Sequence, residues 1–254
     1  QRYDAVRLLP GECDLQGRTI ELSRNGFRVF TDAAAAFPYV GRYVIKQDTM
    51  SPCIRINDHR RAIAVQGLSL YGLGPEGGTG IALDDLEGAG GSSEVTIAGC
   101  SFAQLGLAIH NAPAANGDNH LILQCTASNV GTFYATGTSQ AKNVTIRDCV
   151  HETGACFVNT LDYGARQGYC PNVDACTLGR LDEMFRLKDS VCAPVIRSVR
   201  SEGCKSLGTF GVGSNATMVA TLDGCYHEMY LSEDGSAHLT AVMPVVFRGG
   251  MVGL

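Results

Sequence analysis

The sequence predicts an all-β protein folded as a right-handed single-stranded parallel β-helix, a solenoid of about 24–25-residue coils. Three observations carry this. Short apolar bursts recur, each ending in a cysteine at one phase: Val95-Thr-Ile-Ala-Gly-Cys100, His120-Leu-Ile-Leu-Gln-Cys125, Val144-Thr-Ile-Arg-Asp-Cys149, Asn172-Val-Asp-Ala-Cys176 and Ala220-Thr-Leu-Asp-Gly-Cys225. The cysteines stand 25, 24 and 27 residues apart, and the last step, of 49, is two coils. The bursts are rich in β-branched residues and punctuated by Gly and Asn, which suits short strands joined by tight turns. Composition agrees: 31 Gly, no Trp and 18% charged residues fit many turns over an apolar β core, and exclude disorder or a helical bundle.

Taken in order, residues 1–52 read as entry and capping coils and 53–254 as the β-helix body, one continuous domain. Residues 11–22 form two strands bent at Gln16-Gly17, and Val29-Phe30 and Tyr43-Val-Ile45 continue the pattern. Between them, Asp32-Ala-Ala-Ala-Ala-Phe37 predicts a short helix over the open end of the solenoid, whose unpaired strand edge must be blocked. Regular coils begin at Cys53-Ile-Arg-Ile56, and the run 63–70 repeats 95–102 with Leu68 in the cysteine slot. The ladder is therefore an apolar column first, filled by thiols acting as small hydrophobes rather than by disulfides or metal ligands.

Each coil adds a second strand just past a glycine: Leu107-Ala-Ile109 after Gly106, Phe133-Tyr134 after Gly131, and Cys156-Phe157-Val158 after Gly154. Phe185-Arg-Leu187 and Thr209-Phe210 continue it, and Phe at this phase predicts a second internal stack, of aromatic rings. In the coil at 195–213 the ladder slot falls to either Ser201 or Cys204. Val242, Val245-Val-Phe247 and Met251-Val252 are the last strands.

A net charge of −5 offers no basic face for nucleic acid, and no window approaches the roughly 18 apolar residues needed for membrane insertion. Solenoids carry function on the loops between coils, here 72–92, 111–119 and 161–172. Gly72-Leu-Gly-Pro-Glu-Gly77 matches a nucleotide-binding pattern in form, but Pro75 leaves no helix N-terminus to hold phosphate, so it is a loop. His151-Glu152 and His227-Glu228 echo one another, His two and Glu three residues past a ladder cysteine. Three coils separate them, about 14 Å at roughly 4.8 Å per coil, so they share no metal site; neither metal nor cofactor is expected.

Glycan cleavage requires two carboxylates roughly 5–9.5 Å apart, and side chains at equal phase on adjacent coils sit about 5 Å apart. Asp162, on the long and chemically varied loop 161–172, with Asp182 or Glu183 one coil later, is the expected catalytic set. Tyr163, Arg166, Tyr169 and Arg186 would hold an anionic sugar. A lyase would instead place a base beside cations that neutralise a carboxylate. The basic run Arg197, Arg200 and Lys205 reads as a solvated strand edge.

The start Asp14-Leu-Gln-Gly-Arg-Thr-Ile-Glu-Leu22, followed by coils of the form Val-Thr-Ile-x-x-Cys, resembles the pectate-lyase-like β-helix superfamily over about residues 11–230. It is similar in particular to the β-helix bodies of bacteriophage tailspikes and tail fibres. The resemblance implies a homotrimer on a virion tail, beside other tail proteins, assembled in the bacterial cytoplasm and acting outside it. It implies binding of host surface polysaccharide and, where catalytic, its degradation by a lyase or hydrolase. Two alternatives stand beside this: a secreted polysaccharide lyase, hydrolase or epimerase working alone, and a non-catalytic structural β-helix of a tail or fibre.

Overall fold

The computed structural model describes residues 4–31, 43–57, 60–83, 91–112, 118–136, 143–160, 171–187, 194–211, 219–229, 239–241 and 243–253. All secondary structure among them is β, and every strand pairing is parallel. One sheet has ten strands, running from Ala5–Arg7 to Val245–Arg248, and a second has fifteen. The second sheet bends along its length, which gives the solenoid three faces. In a representative coil, Thr96–Ala98 lies on the first face. Ser101–Asn111 then crosses the other two, its first part pairing with Ser69–Tyr71 and its second with Thr79–Leu83. The architecture is the expected parallel β-helix. Residues 32–37, where a capping helix is expected, lie outside the described residues.

From Ala64–Gln66 onward, the turn between the first and second faces is built the same way in each coil. Gly67, Gly99, Gln124, Asp148, Ala175, Ser198, Gly224 and Gly249 occupy it, all left-handed with φ from 50° to 72°. One such residue re-aims the chain, at a strain of roughly 1–2 kcal/mol for an L-residue. At Gly67 a side chain is also excluded sterically, since a Cβ would lie 2.6 Å from Thr31 Oγ1.

The residue after each of the first seven of these turns points inward and forms the ladder: Leu68, Cys100, Cys125, Cys149, Cys176, Val199 and Cys225. The slot in the coil at 195–213 therefore belongs to Val199, not to Ser201 or Cys204. Ile146, Val173 and Ile196 are in register, and each stands three residues before its ladder residue. Chemistry misled here: valine fills the column as well as cysteine does. The described cysteines are thiols, and those of Cys149 and Cys176 each donate at 3.3 Å to the carbonyl two residues back. Burial pushes the Cys125 thiol up, and the hydrogen-bonded Cys149 sulfur, followed by burial, pushes up that of Cys176, which keeps both neutral.

The aromatic stack is also present. Phe133 and Phe157 lie face to face at 4.9 Å. Phe102 meets Phe133 edge-on at 6.3 Å, Phe185 meets Phe157 edge-on at the same distance, and Phe210 closes on Phe185 at 6.2 Å. With both stacks internal, the side chains able to meet a large ligand are those pointing outward.

Candidate functional site

Alternation along a strand places neighbours on opposite sides of a sheet, and parallel pairing stacks equal positions into columns. On the second face one outward column reads Ser128, Glu152, Gly179, Glu202 and Glu228. A second outward column reads Thr126, Val150, Thr177, Arg200 and Tyr226. The column between them points inward: Ala127, His151, Leu178, Ser201 and His227.

The outward columns border an open groove of about 750 Å³ that spans four coils and includes Glu152, Gly179, Arg180, Arg200, Glu202, Tyr226 and Glu228. Two local features shape it. Gly179 interrupts the carboxylate column; a Cβ there would meet Glu152 Cγ at 3.8 Å and the Glu202 carbonyl at 4.0 Å, ordinary contacts. The notch is thus open space, not a close backbone approach. In the next coil the register shifts between Glu202 and Cys204, a bulge at Gly203 with φ 68°. The long strand of earlier coils, Thr177–Leu187, is there divided into Arg200–Cys204 and Gly208–Phe210.

Backbones of Glu202 and Glu228 are one coil apart, about 4.8 Å, while Glu152 and Glu202 are two coils apart, about 9.6 Å, with the notch between them. Both spacings fall near those used by carboxylate pairs in glycoside hydrolysis. Arg180 and Arg200 bring positive charge to the same surface. Tyr226, 42% exposed, offers a flat apolar face with a hydrogen-bonding tip.

Beneath this surface the interior is unusually polar. His151 and His227 are fully buried, and desolvation lowers each to about 4, so both rings are neutral near pH 7. His151 Nε2 donates to the Val130 carbonyl at 3.0 Å, and Ser201 Oγ lies 2.9 Å from His227 Nδ1.

Of the residues expected from sequence, Asp182, Glu183 and Arg186 come together just past the bend at Arg180. Asp182 Oδ1 accepts from Lys205 Nζ at 2.6 Å. Glu183 accepts from Thr209 Oγ1 at 2.7 Å and pairs with Arg186 Nε at 3.0 Å. Asp162, Tyr163, Arg166 and Tyr169 lie outside the described residues. Residues 72–77 form a loop leading into the strand Thr79–Leu83, as the nucleotide-pattern argument requires. The basic run divides: Arg197 is on the first face, Arg200 borders the groove and Lys205 pairs with Asp182.

Sequence reasoning noticed the His-Glu echo but missed Glu202, Gly179 and Arg180. The signal existed. Counted from Val199 as the ladder residue, Ser201-Glu202 falls two and three positions later, in phase with His151-Glu152 and His227-Glu228. Placing the slot at Ser201 or Cys204 hid that third member.

No family model and no curated protein matches the chain. Among solved structures it is similar to a tailspike protein from Acinetobacter baumannii bacteriophage Fri1, a capsular polysaccharide depolymerase, at 9% identity and a TM-score of 0.46. The similarity covers 98% of this chain and 57% of the tailspike, so this chain spans little more than half of that protein's length.

Proposed function

We propose that this chain is a tailspike-like β-helix that binds bacterial surface polysaccharide along the groove of its second face and cleaves it there. The observation that carries the reading is the carboxylate column Glu152–Gly179–Glu202–Glu228 set in an open groove. A sugar ring seated over Gly179 would have Glu152 on one side and Glu202 on the other. That spacing leaves room for a water between carboxylate and anomeric carbon, the arrangement of an inverting hydrolase. One carboxyl protonates the leaving oxygen while the other takes a proton from the attacking water. Tyr226 supplies a stacking face, and Arg180 and Arg200 hold acidic substituents of the glycan. In this reading the chain works as a homotrimer on a virion tail, with other tail proteins as neighbours.

The test is a panel of capsular and lipopolysaccharide glycans assayed for binding and for new reducing ends. Glu202→Gln should abolish cleavage and keep binding. Gly179→Leu should abolish both while leaving the fold intact, because the added side chain enters open groove. Asp162→Asn and Asp182→Asn report on the other carboxylate set; loss of cleavage in both, with Glu202→Gln active, moves the chemistry to the loop at 161–172. A wild-type protein that neither binds nor cleaves any glycan sinks the reading.

A further inference from the structure

The floor of the groove has a feature that packing alone does not require. The inward column of the second face is apolar at Phe102, Ala127 and Leu178, yet polar at His151, Ser201 and His227, directly behind the coils that carry Glu152, Glu202 and Glu228. At the last two positions the polar groups pair with each other. Ser201 Oγ and His227 Nδ1 are 2.9 Å apart, with the residues 3% and 0% exposed.

We infer that Ser201 and His227 are positioning residues that pin the bulged strand Arg200–Cys204 to its neighbour Tyr226–Met229 and so set the aim of Glu202. This rests on the proposed role of Glu202 in the groove. His227 Nε2 meets no partner among the described residues. A buried ring nitrogen without a donor is tolerated better than a buried N–H without an acceptor, so the proton of the neutral ring sits on Nδ1. Nδ1–H then donates to Ser201 Oγ. The relay thus ties together the residues immediately before Glu202 and Glu228, one on each strand.

That placement matters because of the register. Arg200, Ser201 and Glu202 face Tyr226, His227 and Glu228, but Cys204, not Gly203, faces Met229. Regular pairing would put Gly203 there. The Ser201–His227 pair thus lies in the last regularly paired stretch before the bulge and ties the two strands together there. A bulge beside a site is a common means of re-aiming one side chain. A carboxylate that must sit within hydrogen-bond reach of a reacting atom is sensitive to such a shift: about 1 Å of misplacement can lower a rate about a hundredfold.

The experiment uses the full chain and the glycan that the wild type cleaves. Ser201→Ala should lower kcat about ten- to a hundredfold with KM little changed. It should also speed amide exchange at residues 202–204 with the rest of the solenoid as protected as before. Ser201→Thr, which keeps the hydroxyl, should recover most of the kcat. His227→Leu removes the relay from the other strand and should give the same local signature, which covers the case in which one variant fails to fold. An unchanged kcat in Ser201→Ala, or exchange raised throughout the solenoid, overturns the inference. If the wild type cleaves no glycan, the proposed function fails, and exchange at 202–204 still decides the pinning: a local rise upholds it and no rise overturns it.

Discussion

Acidification is expected to destabilise this solenoid well before its carboxylates are protonated, because three of its imidazoles are buried in neutral form. Desolvation lowers His151 and His227 to about 4, and His120 likewise to about 4, with Asp118 opposing the shift weakly. In the unfolded chain each titrates near the ordinary value of about 6.5. The folded pKa is the lower one, so the unfolded state takes up more protons between the two values and stability falls as pH falls. Above about pH 6.5 the effect is absent; below about pH 4 it is complete. At about 1.4 kcal/mol per unit, each histidine removes about 2 kcal/mol at pH 5 and about 3 kcal/mol near pH 4. Three together approach the net stability of a typical domain, roughly 5–15 kcal/mol. The assay is denaturant unfolding at pH 8, 7, 6 and 5, with unfolding rates compared instead if refolding is incomplete. His151→Phe is the matched variant: its ring would sit where His151 now lies, about 6 Å from the Phe133 and Phe157 rings. It should reduce the loss between pH 7 and pH 5 by about a third, whatever its stability at pH 7. Equal stability at pH 7 and pH 5, or an undiminished loss in His151→Phe, would refute the reasoning.

Two further predictions concern the internal stacks. Phe157, fully buried and stacked on Phe133, should cost about 3–5 kcal/mol when replaced by Ala, and a change in denaturation free energy under about 1 kcal/mol would count against the aromatic column as a main packing element. Cys125→Val should alter stability by less than about 1.5 kcal/mol, since Val199 fills the same slot two coils from Cys149. A large loss there would mean the thiol does more than pack.

Much of the fold was legible because the solenoid repeats one local problem. Each coil must turn from the first face to the second and bury the residue that follows, and Val-Thr-Ile-x-x-Cys records both demands. The pattern also showed that Leu68 and the cysteines are one column. It failed at 195–213 because a column selects for volume and apolarity, not for sulfur, so Val199 was passed over in favour of the nearest Ser and Cys. The carboxylate column was obscured by the same slip. Its gap at Gly179 carries no signal in one dimension, since a glycine in a strand reads as a weak position until the residues above and below it are known.

What the sequence determined by itself was therefore the period, the inward phase and the two internal stacks, all consequences of burying apolar residues at fixed spacing. Only the tertiary structure decided which outward residues meet. Glu152, Gly179, Glu202 and Glu228 come from four coils and share a column because of the strand register. That register depends on coil lengths that vary by a few residues. Hydrophobic pattern specifies which way each side chain points; strand register, held by backbone hydrogen bonds and by the buried Ser201–His227 pair, specifies its neighbours.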